Sequence, residues 1–371
     1  MRIRLKPGFR RAWRDPATLQ IGLSRRRGTV ITGLTLQDIP LVEALHHGID
    51  TSVPGSLSVH GDPERGGHLI TLLRDCGVLV SSGPGLPDPA RLGRAGARLA
   101  PDAAVWSVVH PHCGDGWQLL TARADRQVVV RGAGRLGSSI AATLAAAGVG
   151  TVVVQDPGRV TAADLAPAGA GLPDLGRPRV AVGQDLVRRA GGHSPQPDTR
   201  GTRGTRPAAR HTEPDLVVLV DHGTADAARA DTLMSADVSH LSVVVGEDGV
   251  VVGPLVLPGT SPCLRCLDLH RTDRDPAWPA LAGQLRAQGE TPQESASSAL
   301  AAGLVSLQVL AHLDGVAEPA AVGATLEVEL PDGLVARRPW PVHPGCGCSW
   351  TGMPGTENDA DARGAGREGR M

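Results

Sequence analysis

The chain has 371 residues, a length typical of two or three domains. Its 37 Lys and Arg residues balance 38 Asp and Glu residues, so it lacks the basic excess with which nucleic-acid-binding proteins neutralise phosphates. Lys6 is the only lysine, which excludes the P-loop, pyridoxal phosphate and protein kinase chemistries that need a lysine in the site.

The apolar residues indicate a fold class. Tyrosine is absent and phenylalanine occurs once, so Val, Leu, Ile and Ala have to form the core, which suits buried parallel strands. No segment reaches the ~18 uninterrupted apolar residues of a membrane helix, and the charged N-terminus lacks the apolar stretch of a signal peptide. We therefore expect a cytoplasmic protein with no membrane segment, in which cysteines serve as metal ligands or thiols.

The first eighty residues, 1–80, have the pattern of a small α/β domain. Leu19–Leu23 and Thr29–Leu34 resemble two short strands, and Pro40–Leu45 and Pro63–Asp75 resemble two helices. A hairpin followed by two helices predicts a winged-helix-like domain. The second helix lacks the basic character of a DNA-recognition helix, so a peptide docked on the sheet edge is the expected ligand.

Three segments are predicted to lie outside the compact domains. Residues 81–120 begin with a stretch rich in Gly, Pro and Ala and are predicted to be a linker. Residues 190–214 and 354–371 contain few apolar residues that could offset the entropy of ordering, and they are predicted to be a disordered insertion and a disordered tail. The main domain is then predicted to span residues 121–353.

After the predicted linker, the pattern is that of a mostly parallel sheet. Val128–Val130 is a predicted buried strand, Ser138–Ala147 a predicted helix and Thr151–Gln155 a second strand, which together form one βαβ unit. Two further buried strands are predicted, at Leu216–Val220 and Leu241–Val245. The fold class is therefore α/β with a Rossmann-like sheet.

Three glycines stand between the first of these strands and its helix. Gly132 permits a tight turn, Gly134 lets backbone N–H groups approach a phosphate, and Gly137 lets the helix pack on the strand. Asp156 follows the second strand, where a carboxylate can accept hydrogen bonds from ribose hydroxyls. This context favours a nucleotide crevice over a turn that merely joins strand to helix, but it does not distinguish a dinucleotide from ATP.

The cysteines form two close pairs, Cys263 with Cys266 and Cys346 with Cys348. Each pair can present two thiolates to one tetrahedral ion, so the two pairs predict a closed structural zinc site that staples the C-terminal part to the sheet. A redox Cys-x-x-Cys motif and unrelated buried thiols are the alternatives. The second pair favours zinc.

Taken together, these features resemble the ThiF/MoeB family of adenylyltransferases, relatives of the ubiquitin-activating enzymes. The resemblance rests on the glycine turn Gly132–Gly137, the phrase Ala147–Gly150, the strand ending in Asp156, the pair Asp164–Leu165 and the split cysteine pairs. It covers residues 127–350.

Four further segments resemble one branch of this family, the leader-peptide-binding, cyclodehydratase-type proteins of azoline peptide maturation. They are Lys6–Gly8, Leu19–Gly22, Val252–Leu255 and Cys263–His270. The resemblance implies that the N-terminal domain binds a precursor peptide and that a partner YcaO-type protein performs the ATP chemistry. It also implies a homodimer.

Active members of the wider family adenylate the C-terminal carboxylate of a small protein, using an arginine, a lysine and a magnesium-holding aspartate. Here Pro167 stands at the arginine position, Arg179 at the lysine position and Thr224 at the position of an aspartate, while Asp221 ends the preceding strand. The resemblance therefore implies ATP with Mg²⁺ as cofactors, with Arg179 and Asp221 as the candidate catalytic residues. Arg179 retains the charge of the lysine without its compact ammonium geometry.

Several functions remain open on the sequence alone. The chain either adenylates a carboxylate of a precursor peptide or small carrier protein, or it serves as a peptide-binding scaffold for a partner enzyme. A nicotinamide- or flavin-dependent oxidoreductase would use the same glycine turn. A zinc-stabilised interaction protein with an empty crevice is the third alternative.

Overall fold

The computed structural model describes residues 2–53, 55–57, 62–82, 93–111, 113–195 and 213–349. Residues 83–92 of the predicted linker, residues 196–212 of the predicted disordered insertion and the whole predicted tail, 354–371, lie outside the described residues.

The described elements fall into an N-terminal unit, two connecting helices and a large α/β domain. The strands of the N-terminal unit are β1 (Arg2–Leu5), β2 (Arg11–Asp15), β3 (Thr18–Ile21), β4 (Thr29–Ile31), β5 (Ile49–Asp50) and β6 (Leu79–Ser82). Its helices are α1 (Ile39–His47) and α2 (Pro63–Asp75), and the connecting helices are α3 (Gly93–Val109) and α4 (Trp117–Ala124). The strands of the large domain are β7 (Gln127–Arg131), β8 (Thr151–Gln155), β9 (Leu216–His222), β10 (His240–Val245), β11 (Gly249–Val256), β12 (Ala324–Glu329) and β13 (Val335–Pro339). Its helices are α5 (Arg135–Ala146), α6 (Arg179–Arg189), α7 (Ala227–Ser235), α8 (Leu264–Arg274), α9 (Trp278–Ala287) and α10 (Ser295–Asp314).

The N-terminal unit contains two small antiparallel sheets. β1 lies between β5 and β6, and β3 lies between β2 and β4. The two sheets and helices α1 and α2 enclose one apolar core, which includes the fully buried side chains of Ile3, Leu19, Leu45 and Leu73. Helix α2 has the predicted bounds, because Asp62 caps it by accepting hydrogen bonds from two backbone amides of its first turn.

Lys6 fixes this unit to helix α3. Its buried ammonium donates to the carbonyl oxygens of Ser107 and Pro111 at 3.0 and 2.6 Å, at the C-terminal end of α3 where the helix dipole favours a cation. Burial lowers the pKa of Lys6 to about 8. The only lysine of the chain therefore has a structural position.

The prediction of a linker over residues 81–120 is wrong for the part that the structure describes. Helix α3 runs for 17 residues and packs on α4 through Leu99, Ala103 and Trp117. The Gly, Pro and Ala content of the segment concealed this apolar spacing, and Pro101 lies inside the helix.

The large domain is built on a seven-stranded sheet in the order β13-β12-β11-β10-β9-β7-β8. The strands β8, β7, β9 and β10 are parallel, and β11, β12 and β13 continue the sheet in antiparallel pairs. The predicted mostly parallel α/β fold is thus confirmed. The parallel strands end at one edge of the sheet, which is where open α/β sheets bind their ligands.

Both faces of the sheet are covered by helices. Helices α5 and α10 pack on one face, which includes Val130, Val218 and Val243, and α7 and α8 pack on the opposite face. By length and composition, α10 is the one described helix that could cross a membrane, but 56% of that apolar window is buried in the protein. Its apolar character is accounted for by its place in the core.

The first residues of the predicted disordered insertion 190–214 are ordered, up to position 195. His193 forms a bridge with Thr151 beside the edge strand β8, and the side chain of Gln184 donates to the carbonyl oxygen of Pro195. Backbone pairing with the sheet therefore orders residues up to this point, which composition alone does not reveal.

Arg123 joins the connecting helices to the core. Its guanidinium forms two hydrogen bonds to the carboxylate of Asp314 at 2.7 and 2.6 Å, and both side chains are almost fully buried. Arg123 also lies over the ring of Trp106 on α3. The pair links α4 to the end of α10.

Replacing Arg123 by Met should leave the Asp314 carboxylate buried without a partner. We expect the free energy of unfolding to fall by about 3–5 kcal/mol in chemical denaturation. The control is Arg126→Met, because Arg126 pairs with Asp215 near the surface, where such pairs contribute about 0–1 kcal/mol. Equal losses in the two variants would contradict the assigned role of the buried pair.

Candidate functional site

The glycine turn between β7 and α5 leaves no room for side chains. A Cβ at Gly137 would lie 1.8 Å from the carbonyl oxygen of Gly132. Gly132 has φ +97° and lies against the end of β9, where a Cβ would meet the carbonyl oxygen of Val220 at 2.8 Å. Gly134 is the N-cap of α5, and its Cα faces the carboxylate of Asp164. Glycine is therefore required at Gly132 and Gly137 by the close packing of the turn against β9 and against itself.

Asp156 lies directly beside this turn. Its carboxylate accepts hydrogen bonds from the backbone N–H groups of Ala133 and Gly158 at 2.6 and 2.7 Å. It therefore orders the loop that follows β8 and the glycine turn at the same time. Its predicted contact with a ribose stays a prediction.

Arg179, at the start of α6, lies in the same pocket within a group of carboxylates. Its guanidinium donates to both oxygens of Asp164, at 3.1 and 2.7 Å, and to both oxygens of Glu290, at 2.5 and 3.0 Å. A carboxylate oxygen of Asp156 lies 3.6 Å away. These carboxylates raise the pKa of Arg179, with the hydrogen bond to Glu290 as the largest cause that raises it. The arginine is charged and almost fully buried.

Glu290 is a site residue that sequence reasoning missed. It lies in the connection between α9 and α10, 111 positions from Arg179, so no local spacing associates the two residues. The same connection is held by His222, whose Nδ1 accepts a hydrogen bond from the N–H of Thr291 at 3.0 Å. Burial lowers the pKa of His222, which favours the neutral ring that this acceptor role requires.

Asp221, the residue predicted to hold magnesium, makes its contacts with Arg229 and with the backbone before α7. One of its carboxylate oxygens pairs with Arg229 at 2.6 Å, and the other accepts from the backbone N–H of Asp226 at 3.3 Å. Burial raises its pKa above the ordinary value. Both carboxylate oxygens therefore have a partner within the protein, and the role of Asp221 as a magnesium ligand stays a prediction.

The residues around the glycine turn enclose one pocket of about 320 Å³. Five of the residues that line it were predicted from sequence: Gly132, Gly134, Gly137, Asp156 and Arg179. Lining residues that were not predicted come from the ends of β8 and β9, from α7 and from the α9–α10 connection: Gln155, His222, Arg229, Glu290 and Gln293. Asp221 is not among the lining residues.

The four predicted cysteine ligands converge at a second place. Sγ–Sγ distances are 3.9 Å for Cys263 and Cys266, 3.5 Å for Cys263 and Cys346, and 3.3 Å for Cys266 and Cys348. All four Sγ atoms lie within 4.8 Å of one another. Four thiolates around one zinc ion at ~2.3 Å would be about 3.8 Å apart, so these side chains fit a tetrahedral ion.

The secondary structure positions these thiols. Cys263 is the N-cap of α8 and Cys266 lies in its first turn, while Cys346 and Cys348 flank Gly347, which has φ +70°. The hydrogen bond between Cys263 and Cys266 lowers the pKa of the Cys266 thiol and raises that of the Cys263 thiol, so Cys263 donates its proton to a Cys266 thiolate. With four protein ligands the site is closed, which is typical of structural metal sites.

Three more residues with metal-ligand chemistry, His270, Asp273 and His343, lie beside this cluster. His343 accepts a hydrogen bond from the N–H of Gly345 at Nδ1, so its Nε2 carries the proton and donates to Asp273 at 2.8 Å. The Nε2 of His270 lies 3.0 Å from the carbonyl oxygen of Pro341. These hydrogen bonds connect α8 to residues 341–345, the segment that leads into the second cysteine pair.

Comparison with known proteins agrees with this arrangement. The sequence pattern described as "ThiF family" matches residues 116–348, so the chain belongs to the ThiF family. No curated protein sequence matches the chain at a significant level.

Solved structures share the fold over nearly the whole chain. E. coli MccB in complex with AMPCPP and MccA is 14% identical, covers 94% of this chain and 100% of its own, and has a TM-score of 0.68. E. coli MccB with ATP is 13% identical with the same coverage and a TM-score of 0.67. PaaA is 16% identical, covers 90% of this chain and 99% of its own, and has a TM-score of 0.67.

The geometry of the glycine turn can be tested by adding one methyl group. Gly137→Ala places a Cβ against the carbonyl oxygen of Gly132, so the turn must move, and we expect a loss of stability of about 1–3 kcal/mol or more. Gly303→Ala is the control, because this position in α10 faces open space and the substitution should stabilise the helix by up to ~1 kcal/mol. Thermal unfolding of both variants checks this, and a neutral Gly137→Ala would contradict the close approach.

The metal site can be tested by elemental analysis. We expect about one zinc ion per chain, and Cys266→Ser should abolish stoichiometric zinc and lower the melting temperature, because structural zinc contributes on the order of 10 kcal/mol. Cys76→Ser, which changes a thiol outside the cluster, should retain the metal. Purified protein without stoichiometric metal would contradict the assignment.

Proposed function

We propose that this chain is a ThiF-type, ATP-binding protein of ribosomal peptide maturation that adenylates the C-terminal carboxylate of a peptide. The observation that carries the proposal is the pocket formed by the glycine turn, Asp156 and Arg179 at the carboxyl edge of the sheet. Family membership and a fold shared with MccB support it. MccB is described as a microcin C7 biosynthetic enzyme, and its structures include complexes with ATP and with MccA.

The turn and the start of α5 would bind the phosphates of ATP. Backbone N–H groups and the partial positive charge of a helix N-terminus attract anions, and the glycine turn lines the pocket at this point. Asp156 would keep this loop in place. Stabilised charge at fixed positions is the main contribution that such a site makes to phosphoryl chemistry.

In the proposed reaction, a carboxylate oxygen of the peptide attacks the α-phosphorus of ATP. The bond from that phosphorus to the bridging oxygen breaks, pyrophosphate leaves, and a peptidyl adenylate remains. Arg179 would stabilise the charge that develops on the α-phosphate. Magnesium would neutralise phosphate charge when bound, with Asp221 as its candidate ligand.

The N-terminal unit would bind the peptide. β4 is an edge strand of its sheet, with Val30 and Leu23 exposed nearby. Arg25 and Arg26, in the turn that leads into β4, are exposed and have no carboxylate partner among the described residues. An edge strand flanked by arginines and apolar side chains fits an extended acidic peptide added as a further strand.

A scaffolding role is the second candidate. The observation that favours it is that carboxylates already neutralise Arg179 and that Thr224 replaces a family aspartate. The chain would then present a precursor peptide to a YcaO-type partner enzyme. In either case we propose a cytoplasmic homodimer with a structural zinc ion. ThiF membership favours both candidates over the oxidoreductase alternative.

Pyrophosphate exchange separates the two candidates. With a peptide that has a free C-terminal carboxylate, the full chain should incorporate labelled pyrophosphate into ATP, whereas the same peptide with an amidated C-terminus has no nucleophile and should support no exchange. Arg179→Ala should lower the exchange rate by ~10²–10³, since it removes a fixed charge at the reacting phosphate. Arg126→Met, on the surface, is the matched control. Peptide binding without any pyrophosphate exchange would contradict adenylation and favour the scaffolding role.

Peptide binding can be measured separately by fluorescence polarisation. A labelled peptide that alternates Glu with Leu should bind the full chain, and its Lys–Leu counterpart should not. Arg26→Glu should weaken binding several-fold and reduce its salt dependence, because an exposed ionic contact is screened by salt. Arg189→Glu, an equal charge change on α6, should have no effect. Equal binding of the two peptides would contradict an acidic ligand.

A further inference from the structure

The segment between α9 and α10 forms part of the wall of the proposed ATP pocket. Glu290 and Gln293, both in this segment, line the pocket opposite the glycine turn. The segment follows Gly289, whose φ of +88° is a conformation that glycine adopts without strain. Its side chains therefore lie where a bound nucleotide would have to pass.

Three contacts hold the segment in place. Glu290 binds Arg179, the N–H of Thr291 donates to His222, and Arg135 donates to the carbonyl oxygen of Gln293 at 2.9 Å. Arg135 also donates to the carbonyl oxygen of Ala163 at 2.8 Å, which fixes it to the body of the domain. Of the three contacts, the one made by Glu290 is within the group that would bind phosphate.

The Glu290 carboxylate uses the hydrogen-bonding capacity that a phosphate would need. A guanidinium has five N–H groups, and the four hydrogen bonds to Asp164 and Glu290 engage most of them. The remaining face of the guanidinium looks toward Asp156 at 3.6 Å. Three carboxylates thus surround one cation, so a phosphate brought to Arg179 would meet net negative charge.

Glu290 is easier to displace from Arg179 than the other two carboxylates are. The side chain of Glu290 is 52% exposed, whereas those of Asp164 and Asp156 are 4% and 8% exposed. Asp164 also accepts hydrogen bonds from the N–H and hydroxyl of Thr161, and Asp156 accepts from two backbone amides. Displacing Glu290 exposes its carboxylate to water without breaking a buried network.

We propose that Glu290 is an internal anion that occupies the phosphate position at Arg179, and that a nucleotide phosphate binds there by displacing it together with the segment 290–293. The proposal rests on the proposed function, since it takes ATP as the ligand of this pocket. It makes Glu290 the residue that sets nucleotide affinity. The exchange of one carboxylate for a phosphate leaves Arg179 paired in both states.

The test compares Glu290→Gln with Glu294→Gln in the full chain. Glu294, which directly follows this segment, caps α10 and does not line the pocket, and Gln retains an acceptor oxygen there. Calorimetric titration should show that Glu290→Gln binds ATP about tenfold more tightly than the wild type, since a hydrogen bond to a charged group is removed from competition. Glu294→Gln should bind ATP like the wild type.

Adenosine distinguishes displacement of a charge from simple opening of the pocket. Because adenosine has no phosphate, its affinity should be the same for the wild type and for Glu290→Gln. Equal tightening of adenosine and ATP, or no tightening of ATP, would overturn the proposal.

Hydrogen exchange gives a readout that needs no ligand. The amide of Thr291, bonded to His222, should exchange faster in Glu290→Gln than in the wild type or in Glu294→Gln, and it should also exchange faster in the wild type saturated with ATP. Unchanged exchange of the Thr291 amide in Glu290→Gln would contradict the claim that Glu290 holds the segment in place. If neither protein binds ATP while exchange still increases in the variant, the nucleotide function fails and Glu290 holds the segment without gating a nucleotide.

Discussion

Four separate parts of the chain meet at the guanidinium of Arg179. Asp164 follows β8, Glu290 belongs to the connection between α9 and α10, Asp156 orders the glycine turn, and Arg179 itself begins α6. Buried charges require partners, since an unpaired ion in a protein interior is costly. This one cation therefore determines how the phosphate turn, the neighbouring loop and the α9–α10 connection are placed relative to one another.

The second constraint lies on the opposite side of the sheet. The cysteine pairs join the start of α8 to the turn after β13, so a bound ion would link the antiparallel edge of the sheet to α8. Helix α8 is followed by α9 and then by the α9–α10 connection. The pocket and the cysteine cluster share no lining residue. The metal is therefore assigned a structural role, and it acts on the pocket only through the helices that lead into that connection.

The parts of the fold predicted correctly are those that depend on short spacing. Gly132, Gly134 and Gly137 are predictable because the turn forces each of them to lack a side chain, and Thr151–Gln155 because a buried parallel strand needs consecutive apolar residues. The cysteine pairs are predictable because each pair is local. In each case the physical requirement is contained within a few positions of the sequence.

The residues that were missed depend on contacts between distant positions. Glu290 acquires its role only because the α9–α10 connection lies beside Arg179, and Arg229 lines the pocket only because α7 places it beside the end of β9. The linker prediction failed for a different reason. Overall Gly and Ala content hid the helical spacing of Leu99 and Ala103, which only the packing against α4 makes evident.

The most direct test of the central claim, that ATP occupies the pocket at the glycine turn, is photolabelling of the full chain with 8-azido-ATP followed by peptide mapping. The account predicts label on peptides that line this pocket, protected by excess ATP and not by excess NADH. Label confined to peptides from other parts of the chain, or no ATP-protected label at all, would contradict it.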